Sequence, residues 1–149
     1  MAFLDSMGIS ASALSAERYR MDVIAENMAN LNTTRGANGE PYRRKTVVFA
    51  ERQGSTFSAL FRDRMSGVRG TSGMGGVRVV DTVEDQSEFK LDYNPSHPDA
   101  DAQGYVRLPN VDVVQEMLDM MASYRAYEAN VTAINTFKDM AMKTLEIGK

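Results

Sequence analysis

The 149-residue sequence has no cysteine, no tryptophan and only one histidine. Without thiols, disulfides, thiol catalysis and zinc–thiolate sites are excluded, and the redox compartment is left open. No tryptophan and eleven methionines point to adaptable helix contacts more than to a rigid aromatic core. No apolar run approaches the ~18 residues a membrane span requires, so direct membrane insertion is not expected. The N-terminal stretch lacks a basic n-region, an uninterrupted apolar segment and a cleavage site, so any export is expected to proceed without a cleaved signal peptide. A formal charge of -3 with 25% charged residues describes neither a nucleic-acid-binding cation nor an acidic tail.

What the chain does have is a long helical signal at each end. Residues 110–149 contain no proline, and no glycine before Gly148. Along them Val111, Val114, Leu118, Met121, Tyr124, Val131, Ile134, Phe137, Ala141 and Leu145 recur at steps of three, four or seven, an apolar stripe on one helix face. Asn110 or Asp112 is placed to cap it, with Gln115 at the capping-box spacing from Asp112 and Gly148 at the far end. At about 1.5 Å per residue such a helix is longer than a small domain can bury. The second signal covers residues 9–34, after a short amphipathic leader, MAFLDSMG. Leu14, Met21, Ile24, Met28 and Leu31 step through it at heptad spacing, and Ala13, Ala16, Ala25 and Ala29 allow close approach of another helix. An intramolecular pairing of the two helices as a coiled coil is expected. One seam leaves much of a long helix uncovered, which favours assembly with further helices.

Between them, residues 35–109 read as a small β-rich module, so the fold class expected is α+β. Tyr42–Phe49, Val77–Val83, Phe89–Tyr93 and Gly104–Leu108 carry strand signals, and Asn94–Asp99 reads as a loop. A loop insert at 51–76, crowded with glycine at its end, has room for a helical turn or two over Ser58–Met65. The organisation expected is therefore 1–34 for the first terminal helix, 35–109 for the middle domain and 110–149 for the second helix.

Charge is uneven within the module. From Arg35 to Arg78 nine Lys/Arg face three Asp/Glu, and from Val79 to Gln103 seven Asp/Glu face one Lys. These blocks either pair within the module or form opposite faces that set the register of neighbouring subunits. Nucleic-acid binding is not expected, because the arginines lack interleaved stacking aromatics and the acidic block follows directly. No catalytic constellation emerges. The cluster GVRGTSGMGG lacks the Lys-Ser/Thr of a phosphate loop and the dinucleotide pattern. Asp99 and Asp101 open like a calcium loop, but Asn110 stands where a bidentate glutamate is needed. His97 is a lone loop histidine with no role assigned. Neither an enzyme, a cofactor nor a metal site is expected.

The segment Asn27-Met28-Ala29-Asn30-Leu31-Asn32-Thr33 resembles the N-terminal signature of the bacterial flagellar axial rod/hook protein family. Gly39–Lys45, Gly104–Met117 (through Asn110 and Val111), Arg125–Asn130 and Lys143–Leu145 resemble its proximal rod members, so the likeness covers about 9–50 and 77–149. The departure is 51–76, longer and richer in arginine than the family requires. The resemblance implies a structural protein of motility: a subunit of the proximal rod in the flagellar basal body. Its terminal helices would pair as a coiled coil and pack helically with neighbours into a torque-transmitting shaft around an export channel. Partners implied are copies of itself, proximal and distal rod proteins, the rod–membrane-ring adaptor and the flagellar type III secretion (export) apparatus. The location implied is the rod spanning the periplasm. Phe3 and Met7 resemble an export recognition element. The competing reading is a cytoplasmic helical-hairpin interaction adaptor.

Overall fold

A computed structural model describes residues 2–36, 38–52, 65 and 75–147, with side chains from residue 6 onward. The order is α1 (Ala2–Ala29), β1 (Lys45–Glu51), β2 (Val77–Glu84), β3 (Lys90–Tyr93), β4 (Tyr105–Leu108) and α2 (Val113–Ile147). This is the expected α+β arrangement, two terminal helices with a small β module between them. Of the helical turn expected over Ser58–Met65 only Met65 is described, of the glycine cluster only Gly75 and Gly76, and the Gly148 cap lies outside the described residues.

Helix α1 differs from the sequence reading at both ends. It begins at Ala2, so the presumed leader is its first turns and Gly8 lies inside it. One interior glycine costs about 1 kcal/mol against alanine, which does not break a 28-residue helix. It ends at Ala29, ahead of the expected Thr34. There the Leu31 N–H donates to the Met28 carbonyl and the Thr33 N–H to Asn30, tightening the chain into a turn. Leu31, assigned to the helical stripe, therefore sits in that turn.

Helix α2 is capped by Asp112. Its Oδ1 accepts the N–H groups of Val114 and Gln115 at 2.9 and 3.3 Å. These bonds hold the Asp112 carboxyl below its ordinary range. The capping box is not closed: the Gln115 side chain donates to Asp119 at 3.3 Å rather than reaching back to residue 112.

The strands form two two-stranded sheets, β1 with β2 and β3 with β4. In the second, antiparallel register sets Tyr93 opposite Tyr105 and Asp92 opposite Val106. The two tyrosine rings meet edge to face, 5.2 Å apart. Gly104, with φ of +85°, makes the return: a Cβ there would stand 3.0 Å from the Tyr93 ring and 3.1 Å from Pro95. Strand alternation then buries Val106 on the opposite face.

The chain divides into two compact units: Met1–Arg18, Phe49–Val80 and Arg125–Lys149 in one, Tyr19–Val48 and Asp81–Tyr124 in the other. The described core lies mostly in the second. Val23, Ile24, Val106, Pro109 and Val111 are buried there, but so are Asn27, Glu116 and Ser123. In the first unit, Ser10 and Ala16 of α1 are buried, and no residue of α2 from Arg125 to Ile147 is.

Candidate functional site

Three basic residues in succession lead into β1, and extended backbone sends them in different directions. Arg43 lies over the Phe89 ring, 4.3 Å from its centroid. Lys45 pairs with Glu26 of α1. Arg44 turns into the second unit, where its Nε donates to Glu116 Oε1 at 2.6 Å and its Nη2 to Asp119 Oδ2 at 3.1 Å. The spacing of Glu116 and Asp119, three residues apart on α2, presents both carboxylates to one guanidinium.

Glu116 is fully buried, and its other oxygen accepts Asn27 Nδ2 at 3.0 Å. Asn27, 1% exposed, has every hydrogen-bonding position filled. Its Nδ2 also donates to the Lys45 carbonyl at 2.9 Å, while its Oδ1 accepts the Lys45 N–H and the Tyr42 hydroxyl, both at 2.9 Å. Asn110 extends the junction. Its Oδ1 accepts the Arg44 N–H at 2.8 Å, and its Nδ2 donates to the Asp85 carbonyl and the Ser87 hydroxyl at 3.0 and 2.8 Å. Asn27 from α1 and Arg44 from the β1 approach thus hold a buried carboxylate, and Asn110 on the approach to α2 holds the Arg44 backbone. A charge so placed is tolerable only because its partners are in place.

The electrostatics agree with that geometry. Burial disfavours the charged Arg44 guanidinium, but the Glu116 bond and the charges of Glu116, Asp119 and Asp85 outweigh it and raise its pKa further. Burial, followed by the charges of Glu26, Glu116 and Glu84, pushes the Tyr42 phenol well above its usual range. The folded protein therefore favours neutral Tyr42, so this stability is full below the unfolded pKa of about 10 and is lost as pH rises beyond it. Tyr42→Phe is expected to cost about 1 kcal/mol at pH 8 through the lost bond to Asn27. It should also flatten the alkaline decline. Denaturation midpoints at pH 8 and pH 11 check both, and a parallel decline in wild type and variant would refute the assignment.

The apolar stripe drawn on α2 does not line this interior. Val114, Leu118, Met121 and Tyr124 are 68, 52, 51 and 59% exposed, and Leu145 is 74%. Val131, Ile134 and Phe137 are half-buried. The inward side of the first turns is instead Glu116, with Met120 half-buried and Ser123 buried beyond it at heptad steps. On α1, Ile24 is buried and Leu14, Met21 and Met28 are half-buried, alongside buried Ala16, one of the small residues named above, and Val23, which stepwise spacing passed over. Among the motif residues, Asn27 is the centre of the junction and Val111 is fully buried. Asn30 accepts the Thr33 hydroxyl and bonds back to Glu26, Asn130 bonds back to Ala126, and Ala29 is exposed. Met7 is half-buried, while the Phe3 side chain lies outside the described residues.

Elsewhere in this unit the charged blocks are partly spent on each other. Arg35 pairs with Asp99 at 2.8 Å, and Arg43 reaches the Asp85 carbonyl at 3.5 Å. The would-be calcium residues are turn formers. Asp99 also accepts the Thr34 hydroxyl, and Asp101 accepts the N–H groups of Gln103 and Tyr105, which lowers its pKa. His97 Nδ1 accepts the Asp99 N–H at 3.1 Å. Among the described residues no helix is long and apolar enough to cross a membrane.

Comparison with known proteins gives a consistent set of matches. Residues 7–37 match the family model for flagella basal body rod proteins, and residues 102–147 match that for the C-terminal region of flagellar basal body rod FlgEFG proteins. The chain is similar over its whole length to curated proteins called flagellar basal-body rod protein FlgC. It is 52% identical to that of Bacillus subtilis over 153 residues and 43% identical to that of Escherichia coli O157:H7 over 149, with each chain covered completely. It is 42% identical to that of Borreliella burgdorferi over 154 residues, covering 99% of this chain and 98% of the relative.

Proposed function

The chain belongs to the flagellar basal-body rod protein FlgC family, and we propose that it is built into the rod through the outward apolar side of α2. It is a structural subunit of the flagellar basal-body rod. One observation carries the proposed contact: the polar side of the first turns of α2 faces inward and the apolar side outward. Val114, Met117, Leu118, Met121 and Tyr124 are each about half exposed or more. Covering the exposed part of such side chains is worth on the order of 1 kcal/mol apiece, a gain that only a neighbour supplies.

The neighbours in this reading are copies of the chain and the other proximal and distal rod proteins, with the rod–membrane-ring adaptor at the base. Packed helically, they form a shaft that transmits torque and encloses the export channel as it spans the periplasm. Pairing of α1 and α2 as a coiled coil would continue, beyond the Asn27–Glu116 contact, through Leu14, Met21, Val131, Ile134, Phe137 and Leu145. Delivery by the flagellar type III export apparatus, with Phe3 and Met7 as the recognised pair, completes the proposal.

Mass spectrometry of the rod fraction from detergent-extracted basal bodies tests it. The expected result is this chain at several copies per rod. A soluble monomer found only in the cytoplasm would overturn the reading and favour a helical-hairpin adaptor.

A further inference from the structure

The sheet of β3 and β4 has one edge that the chain closes and one that it leaves open. In an antiparallel pair, facing residues alternate between those that exchange backbone bonds and those whose N–H and C=O point away from the partner strand. The Asn94 N–H donates to the Gly104 carbonyl at 2.9 Å, one step beyond the Tyr93–Tyr105 pair. Asp92 and Lys90 therefore bond inward, and Leu91 and Tyr93 present their backbone groups outward. The same alternation turns the Tyr105 backbone away from β3, and there the chain closes the edge. The Tyr105 N–H donates to Asp101 Oδ1 and its carbonyl accepts the Asp101 N–H, both at 2.9 Å. No described residue does this for Leu91 or Tyr93. They are 65 and 64% exposed, with side chains on the face that carries Tyr105 and Arg107, opposite buried Val106.

Open edges are ordinarily guarded by proline, by a bulge or by an outward lysine. β3 has neither proline nor bulge, since its four residues pair one to one with β4. Its lysine is spent elsewhere, because Lys90 Nζ donates to the Val111 carbonyl at 2.7 Å. What remains beside the edge is negative. Glu88 and Asp92 are exposed, and neither belongs to an ion pair among the described residues.

We propose that the free edge of β3 is a strand-addition site for an extended segment of another protein, one in which apolar or aromatic residues alternate with lysine or arginine. Main-chain bonds to Leu91 and Tyr93 hold such a segment in register. Its apolar residues cover the Leu91 and Tyr93 side chains, and its cations answer Glu88 and Asp92. Charge decides the occupant. A strand carrying carboxylates would meet two unpaired carboxylates, and like charges facing each other across a sheet are destabilising. The site belongs to the middle module and stands whether or not α2 meets a neighbour in the rod.

Residue-resolved amide exchange on the full-length chain, alone and with two synthetic peptides, tests the site. One peptide alternates valine with lysine and the other valine with glutamate, both capped at their ends. In the free chain the Leu91 and Tyr93 amides are expected to exchange about tenfold or more faster than that of Asp92. The lysine peptide should slow both, and the glutamate peptide should not. Leu91→Pro removes an outward N–H and leaves the inward bonds of Lys90 and Asp92 in place, since an edge strand tolerates proline where its N–H faces solvent. It should weaken binding of the lysine peptide about tenfold while the Asp92 amide keeps its protection. Asp92→Lys keeps every backbone bond and should reverse the preference between the peptides. Leu91 and Tyr93 amides already protected in the dilute free chain would overturn the proposal, as would equal binding of the two peptides or binding that leaves these amides unchanged. Protection that rises with protein concentration in the absence of peptide would make the occupant a second copy and would overturn it too.

Discussion

Leu118→Asp is expected to leave the folded subunit within about 0.5 kcal/mol of wild type while stopping rod formation, because exposed positions tolerate substitution and packed seams do not. Leu118 is 52% exposed and lies one helical turn from both Val114 and Met121, in the middle of the outward apolar side of α2. In the free chain an aspartate there stays hydrated. In a seam between helices the same carboxylate loses its water and finds no partner. A penalty of about 3 kcal/mol per contact lowers each association step more than 100-fold, and a helical assembly repeats that step at every subunit. Leu118→Ala should give a graded result, with weaker assembly but visible basal bodies, since it removes apolar area and adds no charge. Electron microscopy of basal bodies from cells carrying each variant, with chemical denaturation of the purified subunits, separates the effects. Normal rods with Leu118→Asp would show that this face of α2 is not a contact surface. A large loss of subunit stability would show that Leu118 serves the interior.

That the stripe was expected both to pair within the chain and to contact neighbouring subunits, with no division between the two, has a physical reason. Periodicity finds an apolar side of a helix, but it does not say whether the side faces the chain's own core or a neighbour. In VVQEMLDMMASY the apolar residues outnumber the polar ones, so Glu116 looks like a solvent-facing interruption. It is the fully buried residue, and Val114 and Leu118 are the exposed ones. Arg44 was hidden for a related reason: Arg43-Arg44-Lys45 reads as one basic patch, and only the backbone path sends the three cations to Phe89, Glu116 and Glu26. Asn27 was marked by resemblance to a motif, with no means of assigning its four bonds. By contrast, the strands followed from local chemistry. Strand signals located β1 to β4, and the choice of Asn110 or Asp112 as cap located the start of α2 to within a few residues, because each signal acts locally. Bonds such as Asn27 to Glu116 join residues 89 positions apart, and no local pattern encodes them.

The buried pair itself gives the other large effect. Arg44→Met removes the cation from a carboxylate with no exposure, leaving Glu116 with only the Asn27 amide. Breaking a buried ion pair from one side costs about 3–5 kcal/mol, a large share of the 5–15 kcal/mol that holds an ordinary domain folded. Arg44→Met should therefore lower the denaturation midpoint sharply and loosen the junction first. The double variant Arg44→Met with Glu116→Leu is expected to recover most of the loss, since it leaves no stranded charge and Asn27 Nδ2 keeps its bond to the Lys45 carbonyl. Its recovery would not be expected to extend to register, because an apolar pair does not distinguish one turn from the next. A thermodynamic cycle over the wild type, both single variants and the double measures the coupling directly. Coupling of 2 kcal/mol or more, on the order expected for buried partners, supports a network that acts as a unit. Additive losses would mean that Arg44 and Glu116 stabilise the unit independently, and that the 2.6 Å bond between them contributes little beyond its neighbours.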